Sequence, residues 1–298
     1  MTTTASIGSY GIAPPGFRLP SETHLGRVRL QVADLDRSIA YYETVIGLRV
    51  LARSGSVATL APHGSDRVIV ELHAKPGARP VARRGQIGLY HFAILLPDRA
   101  SLGRFVRHLA QIGERAGMSD HFVSEALYLQ DPDGLGIEVY ADRPREAWRV
   151  DGQQIAMTSI PLDVNGLVAA AGDTEWSGAP AGTVLGHVHL YVRDLDEAAG
   201  FYHLALGFDK IAWSYPGALF MSAGGYHHHL GTNTWAAGAP LATDDDAKLI
   251  EWEIVLPDAA SVAAVGESLA ASGARVERDG NDVVARDPWG TRVRVRVP

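Results

Sequence analysis

The chain of 298 residues is 46% hydrophobic and 20% charged, an ordinary globular composition with length for about two domains. Its 27 Lys and Arg against 34 Asp and Glu leave a net charge of −7, so no global positive field exists to hold nucleic acid or anionic lipid, and neither is expected as a partner. No apolar run approaches the roughly 20 residues that span a bilayer, and the opening MTTTASIGSYGIAPPGF lacks a basic-then-apolar leader pattern, which predicts a soluble, unexported, cytoplasmic protein.

Residues 1–24 read as solvated loop. The first regular element follows in LGRVRLQVADLDRSIAYYETVIGLRV (25–50), where apolar and polar residues alternate as in a half-buried strand. An Asp-Leu-Asp able to cap a helix comes next, and then apolar residues at helical spacing. The same segment returns without gaps as LGHVHLYVRDLDEAAGFYHLALGFDK (185–210). A second strand-to-helix pair is YHFAILLPDRASLGRFVRHLAQIG (90–113) against EWEIVLPDAASVAAVGESLAASG (251–273), followed by the turns and closing strands DPDGLGIEVY (131–140) and DPWGTRVRVRV (287–297).

The pattern predicts an α+β protein of four βαβββ modules, at 25–78, 88–144, 185–238 and 248–298, forming two pseudo-symmetric domains with curved mixed sheets around a site. The expected domains are 20–144 and 185–298. Residues 145–184 between them end in a Gly/Ala/Ser-rich linker, and DDDAK at 244–248 reads as solvated loop.

Without a single cysteine, disulfides, thiolate metal sites and cysteine nucleophiles are excluded, and any metal must use His, Asp or Glu. The first strands of the modules carry Arg27, His91, His187 and Trp252 at the matching place. The closing strands carry Glu71, Glu138, a position near His229, and Arg294. Taken singly, a strand histidine is more often structural and a strand glutamate more often a surface charge. Together, His91, Glu138 and His187 form a 2-His-1-carboxylate set, which holds Fe(II) with positions open for substrate and dioxygen. Neither half of the chain holds this set alone, so the two inner modules are predicted to face each other around the metal and the outer two to pair without one.

These residues resemble the vicinal oxygen chelate (glyoxalase/bleomycin resistance/extradiol dioxygenase) superfamily. Within it they resemble the extradiol ring-cleaving dioxygenases of the bacterial catechol 2,3-dioxygenase type. The resemblance is carried by HLGRVRLQVADLDRSIAYY, GLYHFAILLPDR, SEALYLQDPDGLGIEVYADRPREAW, LGHVHLYVRDLDEAAGFYH and SAGGYHHHLGTNTW. It implies Fe(II), with Mn(II) as the alternative, held by His91, Glu138 and His187; a small aromatic diol and dioxygen as substrates; and a role in aromatic hydrocarbon catabolism. It further implies a tyrosine ten residues before the glutamate, which is Tyr128, and an acid/base histidine on the partner module. His229 is favoured by alignment with Glu71, His228 takes the role if the register is off by one, and His229 as a fourth metal ligand stays open. His121 is a hydrogen-bond donor to substrate oxygen or an exposed loop residue; His189 and Tyr140 line the pocket or are structural. In the best-known two-domain relatives the ligands come from the C-terminal half, whereas here Trp252 and Arg294 stand in the fourth module. Glyoxalase-type isomerisation or thiol addition, and ligand binding without chemistry, remain the alternative functions. Homo-oligomerisation is left open.

Overall fold

The computed structural model describes residues 10–298. The first module comprises β1 (His24–Val32), α1 (Leu35–Tyr41), β2 (Arg49–Ser54), β3 (Val57–Ala61) and β4 (Val70–Ala74). The second comprises β5 (Gly88–Leu95), α2 (Arg99–Ile112), β6 (Gly117–Asp120), β7 (Ser124–Gln130) and β8 (Gly136–Asp142). After the short hairpin β9 (Val150–Asp151) and β10 (Gln154–Ile155) and helix α3 (Val164–Ala170), the third module runs through β11 (Val184–Tyr191), α4 (Leu195–Ala199), β12 (Asp209–Ala212), β13 (Ala218–Ser222) and β14 (Leu230–Asn233). The fourth has β15 (Lys248–Val255), α5 (Ala259–Ala271), β16 (Val276–Asp279), β17 (Asp282–Arg286) and β18 (Arg292–Arg296).

Every module helix starts on an aspartate whose carboxylate accepts first-turn backbone N–H groups: Asp34, Asp98, Asp194 and Asp258. Helices α1 and α4 widen into a π-type turn, Tyr42–Ile46 and Gly200–Ala205. The first of these ends at Gly47, whose φ of 80° is a left-handed conformation that glycine adopts at little cost.

Two eight-stranded mixed sheets result, and each draws one module from either side of residues 145–184. The inner sheet runs β12-β13-β14-β11-β5-β8-β7-β6, and the outer β16-β17-β18-β15-β1-β4-β3-β2. The inner modules therefore pair with each other, as the distribution of candidate ligands requires. At the centre of the inner sheet β11 lies antiparallel to β5, and each is flanked by the parallel closing strand of its own module.

The helices lie against a continuous core containing Tyr42, Phe92, Phe105, Tyr202, Phe208 and Trp252, all essentially inaccessible. Burying each such ring contributes on the order of 1.5–3 kcal/mol. Polar ties cross between modules: the Tyr42 hydroxyl donates to Asp131 (3.3 Å) and the Tyr202 hydroxyl to Asp287 (2.9 Å). Both acceptors sit in the Asp-Pro turn that precedes a closing strand. Helix α3, inside the stretch read as linker, packs on α2 and buries Leu167.

Two expected loops differ. Residues 1–9 lie outside the described residues, but 10–20 are strapped to the third module. Tyr10 donates to the Gly225 carbonyl (2.7 Å), Ile12 bridges Lys210, and Arg18 grips Asp209 (2.7 Å) while Leu19 is buried. The acidic 244–248 turn is likewise tied down by Lys75 and Arg79 at 2.9 and 2.8 Å, and Ala247 is fully buried. Neither tie has a periodic pattern that would have revealed it. No helix among the described residues is long and apolar enough to cross a membrane.

Candidate metal centre

The antiparallel register of β5 and β11 sets His189 directly opposite His91, while His187 lies opposite Ala93. The parallel register of β5 and β8 sets Glu138 beside Ala93. Side chains alternate between sheet faces, so these pairings bring His91, Glu138 and His187 to one point on the face away from the core helices. His91 Nε2 lies 3.0 Å and His187 Nε2 3.2 Å from the same Glu138 Oε2. All three residues are buried, and one donor atom from each lies within 4.8 Å of the others.

The donor set fits a cation better than it fits itself. Both ring nitrogens of His91, and Nδ1 of His187, are buried with no hydrogen-bond partner. Such groups are costly unless something coordinates them. Burial pushes both imidazoles toward the neutral form, with Glu138 opposing. Burial alone would raise the Glu138 carboxyl, but His187 and then His91 outweigh it and hold it well below the usual carboxylate range. Neutral imidazole and ionised carboxylate are the protonation states that ligate a divalent metal.

Beside these donors is a cavity of about 230 Å³. Tyr128, His121, His189 and His228 line it together with Tyr90, Phe220 and Trp235. His121 Nδ1 donates to the Thr158 carbonyl (2.6 Å), which leaves Nε2 to accept the Tyr128 hydroxyl at 2.5 Å. The Asn233 amide donates to His189 Nε2 (2.9 Å), and the His189 ring lies flat on Gly231, where a Cβ would come within 2.8 Å of it.

The three consecutive histidines separate. His228 faces the cavity, its ring centroid 4.0 Å from that of His187. His227 is fully buried behind it, donating from Nε2 to Asp142 (2.7 Å) and accepting from His228 Nδ1 through its own Nδ1 (2.7 Å). In the neutral rings this order leaves His228 Nε2 as the unprotonated nitrogen. His229, the position favoured by alignment, is not in the cavity wall. Its Nδ1 accepts the Ala223 N–H (3.2 Å), and its ring stacks on Phe208, so it is neither the residue beside the donors nor a fourth ligand. Residues 223–229 form an irregular connection ahead of β14, and the strand register puts Gly231, not His229, beside His189. Strand alternation does not extend through such a segment.

Tyr140 also moves out of the pocket. Its hydroxyl meets that of Tyr226 (2.7 Å), and its ring backs His187 at 4.9 Å. Gly186 makes this packing available, since a Cβ there would stand 1.9 Å from the Tyr140 hydroxyl oxygen. Sequence reasoning missed Asp142, although it shares strand parity with Glu138 and Tyr140 and so belongs to the same face.

The outer sheet answers each inner position with a charge. Phe92 pairs with both Val188 and Ile137, and Trp252 with both Val28 and Val293. Trp252 is therefore the counterpart of core residue Phe92, and Glu251 rather than Trp252 matches His91. Arg294 matches Glu138, and Arg27 matches His187. Arg294 contacts Glu251 at 2.8 Å, and Arg27 reaches Glu71 and Glu253 at 2.9 Å each. Salt bridges fill this second face.

A model of the Glyoxalase/Bleomycin resistance protein/Dioxygenase superfamily matches residues 24–139 and 184–295. The chain belongs to this superfamily. It is 44% identical over 271 residues to the catechol-2,3-dioxygenase of Bacillus subtilis strain 168, covering 90% of this chain and 94% of that protein. Among solved structures, a B. subtilis strain 168 protein provisionally assigned as a dioxygenase aligns with a TM-score of 0.67 at 15% identity, over 95% of this chain and 87% of that one. Maize glyoxalase I aligns with a TM-score of 0.54 at 20% identity, over 92% of both. These structural likenesses concern the fold alone.

Proposed function

We propose that the protein is an extradiol ring-cleaving dioxygenase acting on a small catechol-type diol with dioxygen, with His91, Glu138 and His187 as ligands of Fe(II) or, alternatively, Mn(II). The observation that carries this reading is the convergence on one ionised carboxylate of two buried imidazoles, with both ring nitrogens of His91 and Nδ1 of His187 lacking a hydrogen-bond partner, beside an aromatic-walled cavity. The 44% identity to a protein named catechol-2,3-dioxygenase supports it. Held by His91, Glu138 and His187, Fe(II) would supply Lewis acidity toward the diol and one-electron chemistry toward dioxygen.

The protein's own groups carry the remaining tasks. Tyr90, Phe220 and Trp235 bound the ring and exclude water. His228 Nε2 accepts a proton from the diol hydroxyl and later returns it to oxygen, while Asp142, through His227, holds the His228 tautomer that makes Nε2 a base. The Tyr128 hydroxyl, oriented by His121, hydrogen-bonds oxygen as negative charge develops there. His189 lines the wall and is fixed by Asn233. Both atoms of dioxygen enter the product as the ring carbon–carbon bond beside the diol breaks. Because His229 lies off the cavity, the four-donor set of a glyoxalase-type isomerase lacks its fourth member, which favours the dioxygenase reading.

Anaerobic purification, loading with Fe(II) or Mn(II), and an oxygen-electrode assay with catechol and hydroquinone test the proposal. Stoichiometric oxygen uptake with a ring-opened product is expected. Fully loaded protein that consumes no oxygen with either diol overturns it.

A further inference from the structure

A second cavity, of about 290 Å³, adjoins the first, and Tyr90, His91 and Tyr128 are wall residues of both. Its outer rim carries Arg83, Arg84 and Arg115, and no carboxylate lines it. On the outer sheet of this net-acidic chain, by contrast, Arg27, Arg29, Arg292, Arg294 and Arg296 all contact carboxylates. The three cleft arginines are exposed, and two are consecutive. Arg84 holds a φ of 57°, a left-handed conformation that costs a side-chain-bearing residue on the order of 1 kcal/mol or more. The turn containing it is closed by the Gly85 N–H donating to the Ala82 carbonyl (2.8 Å), and it sets both arginines in the wall of one cleft.

We infer that this arginine-rimmed cleft receives a carboxylate carried on the ring of the substrate, so that the preferred substrate is an acidic aromatic diol. The inference rests on the dioxygenase reading above. The chemistry of the two cavities is complementary. The inner one offers metal donors and aromatic walls to the diol end, and the outer one offers only cationic and neutral groups to whatever projects past Tyr90. Guanidinium groups recognise carboxylates through paired charge-assisted hydrogen bonds. An excess of positive charge at the mouth also raises the encounter rate of anionic diols in a manner that salt suppresses.

The test compares catechol, 4-methylcatechol and 3,4-dihydroxyphenylacetate on the metal-loaded wild type and on the Arg83→Gln/Arg84→Gln/Arg115→Gln variant. The wild type is expected to favour the acid over the methyl analogue in kcat/KM by about tenfold at low salt, and the triple variant to lose that preference. Equal kcat/KM for the two substituted diols, or a preference untouched by the triple substitution, overturns the inference. Anaerobic calorimetry with the same diols separates it from the dioxygenase reading. If no diol supports oxygen uptake, that reading fails, while tighter binding of the acid that the triple variant loses still supports the cleft. Equal binding of acid and methyl analogue refutes the cleft.

Discussion

Asp142 and His227, 85 residues apart, share a 2.7 Å hydrogen bond that sets the orientation of the next histidine in line. Removing the carboxylate frees His227 to reverse its tautomer, and His228 then loses the donor arrangement that leaves Nε2 bare. Asp142→Ala is expected to lower kcat by about ten- to a hundredfold, within the range of acid–base contributions, while metal content stays stoichiometric. Steady-state kinetics beside metal analysis decide it; an unchanged kcat would remove Asp142 from the proton path.

The three converging donors predict a different loss. His91→Ala, His187→Ala and Glu138→Gln should each abolish stoichiometric metal, since each removes one of the three proposed donors. His229→Asn, altered away from the cavity, should retain it. Metal analysis after gel filtration reads the difference, and retention of full metal by Glu138→Gln would rule that carboxylate out as a ligand.

Close packing at Gly186 makes a structural prediction. Adding a methyl group there drives into the Tyr140 hydroxyl, so Gly186→Ala should destabilise by about 1–3 kcal/mol. Removing the hydroxyl relieves the contact: Gly186→Ala combined with Tyr140→Phe should recover part of that loss in denaturant melts. Strict additivity of the two substitutions would show that they do not meet.

Acid should weaken the outer sheet through Glu71. The hydrogen bond from His73 holds its carboxyl down at about 2, with burial opposing and Arg27 and Arg29 adding to the effect. A carboxyl whose folded pKa lies below its ordinary 4.5 contributes stability that is complete above that value and disappears as pH falls toward 2. The Tm advantage of wild type over Glu71→Gln should therefore be largest above pH 4.5 and shrink below it. An advantage that does not change between pH 6 and 2.5 contradicts the assignment.

Much of this was legible in the chain because duplication supplies internal comparison. Gapless repeats gave the modules away, and counting histidines and carboxylates at equivalent positions indicated which modules pair. Alignment alone misplaces residues where the local pattern fits more than one register. Trp252 stands one residue from the position equivalent to His91, which Glu251 occupies, because the surrounding apolar pattern tolerates either register. Alternation points to His229 rather than His228 only if it runs through residues 223–229, which are not strand. Tyr140 shares a face with Glu138, yet the missing Cβ of Gly186 lets it turn behind His187, a packing relation that no periodicity encodes.

The ion-paired face of the outer sheet bears on how the protein tolerates metal starvation. At the places where the inner sheet gathers its proposed metal donors, Arg27 and Arg294 bring cationic groups of their own, covalently attached and always charged. Half of the architecture thus carries its counterion in its genes, and chelation should loosen the inner sheet while leaving the outer one a stable platform on which the donors can be refilled.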